Sequence, residues 1–193
     1  MSVRSSRGVR TLEEILTDKL LLLYLLNNTN EWMDEAKIHK LIFLSEREMN
    51  RRGKKGFNFN FIKLQRGPYS ESLKEDIEQL MEKELIDKRS HVPTERGQLI
   101  LKNFHQVFER NRSFTKEIRK VNGKYSGING EKLVHIVHDM INPETTWMTI
   151  HETPSGNYIL KRLKNVGENK TFHLTESEIE SLDRSIKNPM FTI

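Results

Sequence analysis

The chain has 193 residues, 35% of them hydrophobic and 31% charged, with a net charge of +5 and a pI of about 9.3. That length allows one large domain, or one domain with an appendage, and supplies enough apolar residues for a buried core. The absence of cysteine excludes a disulfide and any thiolate metal site. The mild basic excess permits nucleic-acid or acidic-protein partners without demanding either.

No signal peptide is read at the N-terminus, because its Arg- and Ser-rich residues are not followed by a cleavable apolar core. The apolar run after Lys19 has seven residues, Leu20 to Leu26, against the roughly 20 that a bilayer requires. These features read as a cytoplasmic protein without a membrane partner.

Residues 1–10 place Arg4, Arg7 and Arg10 among Ser and Gly, and read as a flexible basic arm. Such an arm is either a frayed terminus or a phosphate contact. Thr11 and Glu14 then have capping-box spacing and start a helix predicted to reach about Leu26. That helix is apolar nearly all round toward its end, which predicts a buried central element. Asp34 is the expected cap of a second helix, about residues 35–52, with Ile38, Leu41, Ile42 and Met49 facing inward. Its end is basic: Arg47, Arg51, Arg52, Lys54 and Lys55 stand against Glu48 alone. The helix macrodipole favours such charges, and phosphate binding is the second reading of them.

Phe57, Phe59 and Phe61 alternate with Asn58 and Asn60, which predicts a strand over 57–64 with one buried face. Gly67-Pro68 is expected to break the chain. From Ser70 a helix carries Leu73, Ile77, Leu80 and Met81 on one stripe. A short polar hairpin follows over 87–93, with Lys88 and Arg89 at its tip, and Thr94 then caps a helix running through Phe108. Helix, small hairpin and helix in this order form the back half of a winged helix.

The densest basic stretch comes next. Arg110, Arg112, Lys116, Arg119, Lys120 and Lys124 outnumber Glu109 and Glu117, while Phe114, Ile118 and Val121 keep an apolar stripe. It reads as a packed helix whose basic face meets either water or a polyanion. Beyond a Gly-rich loop, a helix is expected over about 131–141, with short strands or turns at Trp147–Ile150 and Tyr158–Leu160 against the body. Thr175 and Glu178 make a second capping box. The apolar tail Met190–Ile193 is a candidate for docking or for pairing with a second chain.

The fold expectation is therefore mainly α with a small β component (α+β). It has a winged-helix-like domain over 11–122 and a C-terminal helical extension over 123–193, packed on the core. No acid–base or nucleophile constellation stands out, so no enzyme activity and no cofactor are expected. His135 and His138 could ligate zinc only with two further ligands, and His151 is the one nearby candidate. They read as surface or half-buried histidines.

Three segments carry a further signal: Lys37-Ile38-His39-Lys40-Leu41-Ile42-Phe43-Leu44, Phe57-x-Phe59, and Gly67-Pro68-Tyr69-Ser70-x-x-Leu73-x-x-Asp76-Ile77-x-x-Leu80 with Leu85-Ile86. This combination, over about residues 12–101, resembles the small prokaryotic winged-helix-like proteins typified by YwgA. Those are distantly similar to the phage-associated Panacea (SocA-type) antitoxin domains. Leu133–Glu144 is also similar to a segment near the C-terminus of that family. The resemblance implies a winged-helix core with a regulatory or antitoxin-like role and supplies no catalytic residues.

Two functions follow as expectations. The first is a DNA-binding transcriptional regulator, expected as a homodimer on double-stranded DNA. Its contacts would be Arg47, Arg51, Arg52, Lys54, Lys55, Arg66, Lys74, Lys88, Arg89, Arg110, Arg112, Lys116, Arg119 and Lys120. The second is a protein-binding adaptor or antitoxin. It is suggested by residues 70–84, where six acids face two bases and phosphates would be repelled.

Overall fold

In the computed structural model, which describes residues 9–29, 32–164 and 166–188, Thr11 closes the capping box that its spacing predicts. Its hydroxyl accepts from the Glu14 N–H (3.2 Å), and the Glu14 carboxylate accepts from the Thr11 N–H (3.0 Å). The helix so begun, α1 (Leu12–Asn27), is buried on every side from Leu16 to Leu23. It packs against four other helices, introduced below as α3, α4, α6 and α8. Each buried leucine removes enough apolar surface from water to contribute about 1.5–3 kcal/mol, which makes α1 the axis of the core.

The remaining elements are α2 (Glu35–Arg51), β1 (Phe61–Leu64), β2 (Gly67–Tyr69), α3 (Glu71–Glu82), α4 (Glu95–Asn103), α5 (His105–Arg110), α6 (Arg112–Tyr125), α7 (Gly130–His138), β3 (Tyr158–Leu160) and α8 (Glu176–Lys187). The described residues thus form eight α-helices and one small antiparallel sheet, ordered β2-β1-β3. Asp34 caps α2 through the Lys37 N–H (2.7 Å), and Thr175 with Glu178 closes the second capping box at α8.

Several boundaries differ from the expectation, each for a physical reason. The phenylalanine alternation is real, and Phe57, Phe59 and Phe61 are all fully buried. The strand ladder nevertheless starts only at Phe61. Residues 57–60 lie outside the ladder, and the Asn58 backbone N–H and side-chain amide donate to the Asp18 carboxylate at 2.8 and 3.0 Å instead of to a strand. Gly67-Pro68 does not break the chain: it is β2, paired with β1 in the register Lys63↔Pro68. Proline is tolerated because β2 is an edge strand. Gly67 takes the positive φ of +103° that only glycine adopts easily.

The helix expected from Thr94 through Phe108 is divided at Phe104, and α6 starts afresh after Asn111. The Asn111 amide donates to the carbonyls of Val107 (2.9 Å) and His173 (3.0 Å), and its oxygen accepts from the His173 N–H (3.0 Å). A side chain that satisfies backbone groups in this way competes with helix continuation. The helix expected over 131–141 stops at His138, and Ile141 forms a lone bridge to Thr149. Trp147 does not pack on the body; it is 76% exposed.

The C-terminal segment is woven into the same core. β3 pairs with β1, and Phe172, Leu174, Leu182 and Ile186 are buried in the cluster that contains α1. Arg4 and Arg7 of the expected arm, and the tail Met190–Ile193, lie outside the described residues. Arg10, counted with that arm, is part of the folded body. Its guanidinium bridges Asp18 on α1 and Asp76 on α3, at 2.7 Å from each carboxylate. It also lies 5.1 Å from the centre of the Phe59 ring.

Candidate nucleic-acid interface

Two basic strips, far apart in the chain, meet in the fold. The C-terminal half of α2 runs antiparallel to α6. Arg52 reaches Glu117 at 2.9 Å, while Lys54 lies 5.8 Å from the Phe114 ring. At the other end of the contact, the Lys124 ammonium is favoured first by Tyr125 and more weakly by Glu48. Gly56 matters to this seam: a Cβ there would come within 2.4 Å of the Met49 sulfur and 3.3 Å of Phe114.

On α6, Phe114, Ile118 and Val121 face inward, and Arg112, Lys116, Arg119 and Lys120 are exposed. Their spacing of four, three and one puts them on one helical face. None of these four makes an ion pair among the described residues. Among the described residues, the Lys54 ammonium beside them has only the Phe114 ring.

The other predicted contacts divide differently. Arg47 and Arg51 share Glu48 at 3.4 and 3.2 Å, Lys55 pairs with Glu14 at 2.7 Å, and Lys74 lies 3.7 Å from Glu78. Arg110 holds Glu178 at 2.6 Å and so ties α5 to the start of α8. Arg66 is exposed in the β1–β2 turn. Lys88 and Arg89 are exposed at the hairpin tip, where the Asp87 carboxylate accepts the N–H groups of Arg89 (2.9 Å) and Ser90 (2.7 Å). These bonds hold the Asp87 carboxyl below its ordinary range. The Trp32 indole donates to the Arg89 carbonyl at 2.7 Å, which docks the tip just ahead of α2. The tip and the Arg51–Lys54 turn therefore lie at opposite ends of α2, about 25 Å apart along a 17-residue helix. Fourteen candidates become one coherent face, one separate tip, one lone turn residue and several charges already engaged inside the protein.

Sequence reasoning missed two buried sets. One is the bridge of Arg10 to Asp18 and Asp76, for which a charged residue inside an apolar stripe was the available signal. The other surrounds Ser70. The His39 ring stacks on Tyr69 at 5.1 Å, and its Nδ1 accepts the Ser70 N–H at 3.2 Å. Nδ1 as acceptor puts the proton of the neutral ring on Nε2, 3.6 Å from Glu35. Burial, with Lys40 adding to it, pushes the His39 pKa down to about 4.

A groove of about 790 Å³ lies between α4–α5 and α8 and is lined by Gln106, Val107, Glu178, Ser181 and Arg184, among others. Its one carboxylate, Glu178, is held by Arg110. The His138 and His151 rings lie 5.7 Å apart. Among the described residues, no group of three or more His, Asp or Glu side chains is arranged to hold a metal ion. None of the described helices is long and apolar enough to cross a membrane. No protein family, curated protein or solved structure matches this chain.

Proposed function

We propose that this chain is a DNA-binding regulator that grips duplex phosphates with the face formed by α2 and α6. The observation that carries the reading is the convergence of Lys54, Arg112, Lys116, Arg119 and Lys120 on one surface without carboxylate partners. Unpaired cations on a rigid helix release counterions from DNA with little reorganisation. α3, the hairpin closed by the Ile86–Pro93 bridge, and α4 follow in the order of a winged-helix back half. In this reading the hairpin tip makes a second, smaller phosphate contact.

α3 itself is not the groove reader. Glu71, Glu75, Glu78 and Glu82 are all exposed along one stripe and would repel phosphate. Binding by this chain is therefore dominated by backbone contacts and discriminates weakly between sequences.

Anisotropy of a labelled duplex, measured between about 50 and 200 mM salt, tests the proposal. Wild type binds with a steep salt dependence. Lys116→Glu with Lys120→Glu weakens binding and lowers the slope of log K against log[salt] by about 2. Lys88→Glu with Arg89→Glu has a smaller effect. Salt-independent retention, or none at all, removes the proposal.

The acidic stripe on α3 favours a second reading, an adaptor or antitoxin that docks a basic protein. Glu75→Lys with Glu78→Lys would abolish such docking and leave DNA binding intact or strengthened.

A further inference from the structure

We propose that Lys40, Arg66 and His138, gathered around Gly67, form a binding site for a small phosphate-class oxyanion. The site stands apart from the α2–α6 face and does not depend on DNA binding.

Three segments build it. α2 brings Lys40, the start of β2 brings Gly67, the turn before it brings Arg66, whose charge acts on Lys40, and the end of α7 brings His138. At Gly67 the missing side chain leaves room for one carbon. A Cβ there would lie 3.7 Å from the Lys40 Cε and 3.9 Å from the His138 Nε2, so both groups border one point beside the glycine.

The cluster is cationic and holds no carboxylate at ion-pair distance among the described residues. Arg10, Arg52, Lys55 and Arg110 each hold a carboxylate within 3 Å. Lys40, Lys63, Arg66, His138 and His151 hold none among the described residues. Lys40 is 97% buried, yet among the described residues its ammonium donates only to the Ala36 carbonyl, at 3.0 Å. An ammonium has three protons to donate. The His138 Nε2 is shielded from solvent and has no hydrogen-bond partner among the described residues, an uncommon condition for a buried polar atom. Asp34 is the carboxylate that acts on Lys40, and it does so beyond ion-pair distance. Burial first, and then His151, Lys63, His135 and Lys40, push the His138 pKa down.

A set of cations without carboxylate partners among the described residues, crowded by like charge, is completed by an anion. A tetrahedral oxyanion matches it: a guanidinium takes two oxygens side by side, and the ammonium and imidazole take the others. Binding would turn mutual repulsion into shared attraction and would favour the protonated His138 ring.

The test uses the full chain in phosphate-free buffer, with sodium chloride at matched ionic strength as the control. Inorganic phosphate at about 100 times its Kd raises the thermal midpoint by roughly 5–10 °C. It also shifts the His138 ring resonances, which chloride leaves in place. Arg66→Gln, at an exposed turn position, retains the fold and weakens the response at least about tenfold. Lys40→Met keeps or raises the midpoint without phosphate and gains nothing when phosphate is added. A nucleoside monophosphate compared with its nucleoside separates an organic phosphate from the free anion: the monophosphate alone gives the shift. The proposal is overturned if phosphate does no more than chloride, if nucleoside and monophosphate act alike, or if both variants respond like wild type.

Discussion

Replacing Arg10 by alanine should be among the most damaging single changes to this protein. The guanidinium lies 2.7 Å from both the Asp18 and the Asp76 carboxylates and also reaches the Asp76 second oxygen at 3.2 Å. Asp18 and Asp76 are both buried, and the remaining cation nearby is Lys19, 3.9 Å from Asp76. Removing one partner of a buried ion pair strands the other charge and costs about 3–5 kcal/mol. For a chain of this size that lowers the thermal midpoint by roughly 6–20 °C. Lysine should not rescue it, because a point charge cannot bridge two carboxylates as a planar fork does.

The pH dependence gives a sharper test. Burial pushes the Asp18 carboxyl up to about 7 from its ordinary 3.8, against the pull of Arg10 and Asn58. A carboxyl raised on folding contributes stability that is complete below its unfolded pKa and is lost as pH rises through the folded value. Wild type should therefore lose part of its stability between about pH 4 and 7 from this group. In Arg10→Ala the opposing charge is gone, both carboxyls rise further, and the deficit against wild type widens with pH. Thermal unfolding followed by circular dichroism at about pH 4.5 and pH 8 measures both effects. A midpoint change below about 2 °C at the higher pH, or a deficit that shrinks as pH rises, would refute the argument.

Three further outcomes follow from particular contacts. Glu46 is fully buried, and burial, reinforced by Asp18, pushes its pKa well above the ordinary value. Glu46→Gln should raise stability by about 1–3 kcal/mol at pH 8 and converge with wild type near pH 4, as read from denaturant midpoints. A Cβ on Gly97 would stand 2.2 Å from the Leu85 carbonyl oxygen, which already accepts the Thr94 N–H at 3.0 Å. Gly97→Ala should therefore displace the hairpin from α4 and cost at least about 2 kcal/mol in equilibrium unfolding. Asn111→Ala removes three hydrogen bonds, two that clamp His173 against the α5–α6 corner and one to the Val107 carbonyl. The expected loss is about 2–3 kcal/mol, with faster amide exchange at His173 as the local signature.

Much of the framework was legible because its signals are local. Thr11 with Glu14, Asp34, Thr94, and Thr175 with Glu178 each satisfy helix N–H groups within one turn, and all four caps form. The buried stripes of α1, α2 and α3 follow from periodicity alone. Phe57, Phe59 and Phe61 are buried as alternation requires, although Asn58 between them bonds an aspartate on α1 rather than a strand. The functional face was half legible. Both basic strips were evident, but nothing local said that α2 and α6 would lie side by side, or that Lys55 and Arg110 would be taken up by Glu14 and Glu178.

What this sequence determined by itself is the set of helices, their caps and the faces they bury, since those choices are settled over a few residues of backbone and solvent exposure. Tertiary structure alone decided which charges meet: Arg10 finds Asp76 across 66 positions, Arg52 finds Glu117, and Lys40, Gly67 and His138 arrive from three segments. The reason is physical. A charge on a helix surface lowers its energy equally well with water or with many carboxylates, and only the packing of the core brings one particular partner within reach.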